Sequence, residues 1–386
     1  MVQGPSIVSG TPHIALIDLY ADGHHRMYLE LLTQHWLQND YPGTLFVWVS
    51  ERFSRVHADF WSALEATPVA THVLPDVPSD LEQGSGARHL LYCDRWHLHA
   101  LQAAHAGGAD HVVFMYMDHA QLASKRFKGS GTRISGILFK PPAETRPRGL
   151  KANLKHIRKQ VVLNRMAAAP SIASVFVLDP TRPWEAPYVY LPDGITFPEP
   201  DISAGAIRAM TGMDDGRLFL MFGDLSQRKG IQHLANAWNG QGHLLLAGRV
   251  PDHEPESGLA VGRLASRDDV TYMDGYVSNE RMAALFQACD VVLVPYDGHV
   301  GSSNVLIRAA MAGKPVIACA DGLVGEWVRS FGLGTTVDPA DTDALRAAIG
   351  APEVPFNPEA AAEFSEGHSP ERMGRVFFST ILKAHP

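Results

Sequence analysis

The sequence predicts an α/β protein built from two Rossmann-like, doubly wound parallel-sheet domains facing a cleft. Three observations lead there. At 386 residues the chain exceeds what one core usually organises, given about 100 to 200 residues per domain. Short apolar runs of buried-strand type alternate with amphipathic stretches of helical period, which is the pattern of βαβ units. Hydrophobic residues make up 46% and charged residues 19%, enough apolar material for buried sheets and too little charge for a disordered chain.

In the first half, strands are expected at 14–19, 44–49, 71–74, 111–116, 136–139, 174–178 and 188–191, with helices between them, notably 26–37 and 87–104. A helix at 150–162 puts Leu150, Leu154, Ile157 and Val161 on one stripe and Lys151, Lys155, Arg158 and Lys159 on another. After Pro192-Asp193-Gly194 comes a Pro- and acid-containing connector with a short helical stretch near 206–210. The expected organisation is a first domain over 1–195, a linker over 196–215, a second domain over 216–355, and a C-terminal helix over 356–386 that crosses back to the first domain. The second half reads as strand 218–222, helix 231–238, strands 244–247 and 270–273, helix 279–288, strand 291–294, helix 305–312 and strand 315–318. In such open sheets ligands bind beyond the carboxyl ends of the strands.

Charge and composition narrow the function classes. Residues 124–165 hold twelve Lys or Arg against the single acid Glu144, so this segment carries +11 while the remainder carries −19. Such polarity predicts either a solvated basic face or a surface that meets phospholipid headgroups or a phosphorylated acceptor, rather than nucleic acid. Cys93, Cys289 and Cys319 are odd in number and far apart, which predicts a reducing, cytoplasmic setting without disulfides. No leader or spanning segment is expected, so any membrane contact is peripheral, at the inner face. Nineteen histidines invite a metal reading, but His24 and His25 are adjacent, and His97 and His99 diverge on a helix. With no Cys/His spacing read as a ligand set, no metal and no cofactor is expected. GxSxG, P-loop and GxGxxG signatures are also absent from the sequence.

Four segments carry candidate chemistry. In MFGDLSQRKG, residues 221–230, a strand runs into a helix through Gly223 and Gly230 and past Arg228 and Lys229. Guanidinium and ammonium beside permissive backbone suit a diphosphate, and the bland alternative is a helix start with exposed cations. In the loop after Pro295, His299, Ser302, Ser303 and Asn304 open a helix that contains Arg308. Helix-start amides favour anions, although a Ser or Asn cap without ligand has the same sequence. In the first half, strand 14–19 enters a turn with Gly23, His24 and His25, and strand 111–116 leads into Met117-Asp118-His119.

Lys229-Gly230, Ala247-Gly248, Gly275-Tyr276-Val277, Asp290 to Pro295 and Ala310 to Ala318, in this order, resemble the C-terminal domain of family-4 glycosyltransferases over about residues 206–345. The resemblance implies a GT-B fold, a retaining, metal-free hexosyl transfer and a nucleotide-diphosphate sugar of UDP or GDP type. It makes Lys229 and Arg228 the diphosphate cations and places His119 beside the donor sugar. Gly223, Ser302, Ser303, Asn304, His299, Arg308 and Glu326 then fall around the donor, and Gly23, His24 and His25 on the side of a carbohydrate, lipid-linked or small-molecule acceptor. There are departures. Asp224 stands where the family has arginine, and Val300 and Arg308 occupy the two acidic positions of Glu-x7-Glu. His299 or Asp297 is a candidate substitute for the first acid, and for Glu326, at the next helix start, a cap is the cheaper explanation. A scaffold or regulatory subunit without transfer activity is the alternative expectation.

Overall fold

The computed structural model describes residues 11–384 except 24, 76, 79–80, 82–85, 128–130, 140–149, 182–183, 213–215 and 300. The elements in chain order begin with β1 His13–Asp18, α1 His25–Gln38, β2 Thr44–Ser50, α2 Glu51–Val56, α3 Ala58–Glu65, β3 Ala70–Leu74 and α4 Gly86–Ala106. There follow β4 His111–Phe114, α5 Gln121–Arg126, β5 Arg133–Leu138, α6 Leu150–Ala167, β6 Ile172–Val177 and β7 Tyr188–Tyr190. The next group is α7 Ala204–Met210, β8 Leu218–Phe222, α8 Ile231–Ala237, β9 His243–Gly248, α9 Pro255–Ala265, β10 Val270–Asp274, α10 Asn279–Ala288 and β11 Val291–Val294. The chain ends with α11 Asn304–Met311, β12 Val316–Cys319, α12 Gly322–Phe331, β13 Gly334–Val337, α13 Thr342–Gly350, α14 Pro358–Gly367 and α15 Pro370–Lys383.

The chain divides into two compact units, residues 1–194 with 370–386, and residues 195–369. The first holds a seven-stranded sheet in the order β3-β2-β1-β4-β5-β6-β7. Every pairing in it is parallel. β1 and β4, at its centre, are buried along their whole length, as expected where helices cover both faces. The α15 residues Met373, Phe377, Phe378 and Ile381 belong to the core on one face of this sheet, together with Leu29 and Leu32 of α1. The second unit holds a six-stranded sheet, β10-β9-β8-β11-β12-β13, again parallel throughout. The stretch 196–215, expected as a linker, is part of this unit. There α7 is anchored to the end of α10 by Arg208, whose Nε donates to the Ala288 carbonyl at 3.1 Å and whose Nη2 meets Asp290 at 2.5 Å.

The strand order locates ligand sites. In each sheet the chain winds outward from the middle in two directions, and the reversal opens a crevice at the carboxyl ends of the two central strands. In the first unit this switch lies between β1 and β4, and in the second between β8 and β11. No helix among the described residues is long and apolar enough to cross a membrane.

Candidate active site

In the second unit, the segments leaving β8 and β11 form one polar group at the switch point. Gly223, at φ 103°, follows β8 and donates its amide to Ala247 at 2.9 Å. A 3-10 turn, Gln227–Lys229, presents the two cations. It is tied at its start by the Gln227 amide, which donates to Glu254 Oε2 at 2.7 Å. It closes on Gly230, at φ 81°, where a Cβ would lie 1.8 Å from the Pro295 carbonyl oxygen. The backbone at 230 therefore touches the β11 loop, and no residue with a side chain fits there unchanged. The Asp297 amide adds a second tie, donating to the Arg228 carbonyl at 3.0 Å.

The side chains extend this coupling. Lys229 Nζ donates to the Tyr296 hydroxyl at 2.5 Å and lies 4.1 Å from the ring centroid. Ser303 Oγ donates to the same phenolic oxygen at 3.2 Å and accepts the Leu306 amide at 3.3 Å, so one hydroxyl caps α11 and contacts the lysine's anchor. Arg228 Nη1 is 3.0 Å from His299 Nδ1, and His299 Nε2 is 3.0 Å from the Ser302 carbonyl oxygen. Guanidinium only donates and a carbonyl only accepts, so His299 is held as the neutral Nε2–H tautomer. Burial pushes it down to about 4, the Ser302 carbonyl opposing and the Lys229 and Arg228 charges adding to the fall. A recess lined by Tyr296, Asp297, Gly298 and His299 with Cys319, Asp321 and Asp338 adjoins this group.

The structure thus brings Arg228, Lys229, His299, Ser302 and Ser303 together. Asn304 opens α11, and Arg308 is half-buried in its second turn. Val300 lies outside the described residues. Glu326 departs from the reading as a cap: it is the fifth residue of α12, exposed, while Asp321 occupies the cap position. Asp224, where the family resemblance expects arginine, pairs with Arg249 at the end of β9, Nε to Oδ1 3.2 Å, so a guanidinium stands one strand away. Asp297 faces His233 at 3.3 Å.

In the first unit the corresponding crevice is lined by rings. Tyr20 follows β1, and its hydroxyl is 2.8 Å from Nδ1 of His119, which ends the 3-10 turn Met117–His119 after β4. Tyr116 packs edge-on against Tyr20, His25 and His119 at 5.1 to 5.4 Å between ring centroids. His25, the first residue of α1, bonds Asp18 Oδ2 through Nδ1 at 2.8 Å, and both are buried. Asp18 is a functional candidate that the sequence reading missed; only its place at the end of a central strand could have signalled it. His97 of α4 bonds the Cys93 carbonyl at 2.7 Å, and burial pushes it down to about 4. Gly23, at φ 80°, is exposed with open space around its Cα. His24 lies outside the described residues.

One expectation needs correction. His89 and Cys93 are four residues apart on α4 and share a face, and together with His119 their ligand atoms all lie within 4.8 Å of one another. Among the described residues a Cys/His group that could hold a metal ion is therefore present, and the sequence reading overlooked it because its third member comes from another element.

The chain is similar in structure to Anabaena HepE in complex with UDP and glucose, at 15% identity and TM-score 0.65, covering 96% of this chain and 100% of that one. It is also similar to sucrose-phosphate synthase from Thermosynechococcus elongatus, at 20% identity and TM-score 0.63, with 97% and 95% covered. The N-terminal domain of Candida albicans trehalose-6-phosphate phosphatase aligns at 11% identity and TM-score 0.69, with 100% and 99% covered. No curated protein matches the sequence. The two parallel sheets are those of the GT-B fold, and residues 216–351 match the family model for glycosyl transferases group 1.

Proposed function

We propose that the protein transfers a sugar from a nucleoside-diphosphate sugar to an acceptor hydroxyl, with retention and without a catalytic metal. The observation that carries this reading is the pair Arg228 and Lys229, held by Gly230 and Tyr296 at the switch point of the unit that matches the glycosyl transferase model. When the anomeric C–O bond breaks, negative charge grows on the departing diphosphate, and fixed cations with the Ser303-capped start of α11 stabilise it. Arg249 adds a third cation in place of the missing one at 224. His119 is the group assigned to the donor sugar, and Gly23, His24 and His25 to the acceptor side. HepE holds UDP and glucose, which supports a UDP-linked donor here.

The acceptor reading rests on α6. Ile157 and Val161, one turn apart on this helix, are 48% and 42% exposed, and the sequence around them is the +11 segment. That combination suits an anionic lipid surface and a lipid or lipid-linked acceptor. Sedimentation with phosphatidylglycerol vesicles at low salt is expected to pull down the chain and to leave it in solution with phosphatidylcholine. Equal behaviour with both favours a soluble acceptor.

A thermal-shift screen of UDP, GDP, ADP, TDP and CMP tests the donor reading, because a ligand of the native state raises its stability by mass action. A shift with UDP, lost in Lys229→Ala, is expected. No shift with any nucleotide would leave a GT-B scaffold without transfer activity.

A further inference from the structure

We propose that His89, Cys93 and His119 form a binding site for one zinc ion in the first unit. His89 and Cys93 sit on one face of α4, with His89 Nε2 3.3 Å from Cys93 Sγ, and His119 joins them from the turn after β4. Ligands bonded to zinc at 2.0 to 2.3 Å and at tetrahedral angles stand roughly 3.4 to 3.8 Å apart. The His89–Cys93 distance is already close to that spacing. The widest pair, within 4.8 Å, needs about 1 Å of closure, which side-chain rotation supplies.

The surroundings fit a site with an entry. Cys93 is fully buried, whereas His89 and His119 are half-buried and reach solvent. The Tyr20 hydroxyl, 2.8 Å from His119 Nδ1 and hydrogen-bonded to Cys93 as well, ties these two residues together. One thiolate with two imidazoles selects zinc over magnesium or calcium, which prefer oxygen. Three protein ligands leave the fourth position of the ion to water or to a substrate oxygen.

The site also has a regulatory consequence, which rests on the proposed function. His119 is shared between the ion and the donor sugar, so bound zinc withdraws it from the sugar and inhibits transfer.

Cobalt substitution tests the site independently of turnover. The full chain with one equivalent of Co2+ is expected to show a thiolate-to-cobalt charge-transfer band and the intense visible bands of a four-coordinate ion. Cys93→Ser should abolish the charge-transfer band, and His89→Gln, at a half-buried helix position that tolerates change, should weaken zinc at least about tenfold in a chelator competition. Absence of the band in the folded wild type, or unchanged zinc affinity in both variants, would overturn the proposal. If zinc binds with this signature but leaves turnover unaltered, the site stands and the inhibition falls. If the protein binds no nucleotide, the transferase reading falls while the cobalt spectrum still decides the site.

Discussion

The two units place their candidate groups at the same topological position and fill it with opposite chemistry. Beyond β8 and β11 the second unit gathers Arg228 and Lys229, with Arg249 after β9 paired to Asp224, and the first two are positioned by the close approach of Gly230 to Pro295, which only glycine permits. Beyond β1 and β4 the first unit gathers Tyr20, Tyr116, His25, His97 and His119, rings whose polar atoms are largely taken up by neighbours. The contrast teaches that a doubly wound sheet supplies the place and the loops supply the task. On the proposed function, the preorganised cationic loop serves the charge that develops during reaction, whereas the largely buried wall of rings serves orientation.

The sharpest way to break that comparison is to remove a cation. Lys229→Ala is expected to lower turnover about a hundredfold or more, about 2.7 kcal/mol of transition-state stabilisation. His119→Ala, which removes an orienting ring, should lower it by roughly tenfold. Equal losses in steady-state assays would erase the distinction between the two units.

Next in size is the backbone contact. Gly230→Ala places a Cβ against the Pro295 carbonyl at a left-handed position, and should destabilise the second unit by on the order of 2 to 4 kcal/mol in urea unfolding. Gly23→Ala shares the positive φ but meets open space, so it should cost only about 1 kcal/mol. The difference between the two variants isolates the contact.

The smallest effect concerns pH. His97 is held down to about 4 in the folded chain against an ordinary value of 6.5, so the unfolded chain takes up the proton first as pH falls. Its contribution is present above pH 6.5 and is lost as pH drops toward 4. Asp94, pushed up to about 6 by burial, works in the opposite sense. Plotted against pH, Tm should therefore drop less, or rise, between pH 7 and 4.5 in His97→Gln relative to wild type, because the His97 loss is removed and the Asp94 gain remains. Parallel plots would show that His97 is not buried as a neutral ring.

Much of the architecture was legible because parallel strands buried on both faces have no choice but to be apolar. The runs 218–222 and 291–294 coincide with β8 and β11 for that reason. β13 was not legible, since Gly334–Val337 is a half-buried edge strand with the sequence GTTV and carries no apolar run. Helix α9, which begins with Pro255 and contains Gly258 and Gly262, was hidden by residues that usually signal loops. In the site, Arg228 and Lys229 could be found because glycine punctuation marks a strand-to-helix turn. Tyr296, Asp18 and Tyr20 could not, because a tyrosine or a strand-end acid gains its meaning only from a partner 67, 7 or 99 positions away.

If the second unit holds the nucleotide diphosphate through Lys229, the affinity for UDP depends on that side chain. Isothermal titration of the full chain with UDP tests it most directly, run on wild type, Lys229→Ala and His119→Ala. One UDP per chain is expected in the wild type, with a loss of at least about tenfold in affinity in Lys229→Ala and near-wild-type affinity in His119→Ala. UDP binding that survives in Lys229→Ala but vanishes in His119→Ala would contradict it, and would assign the nucleotide to the first unit.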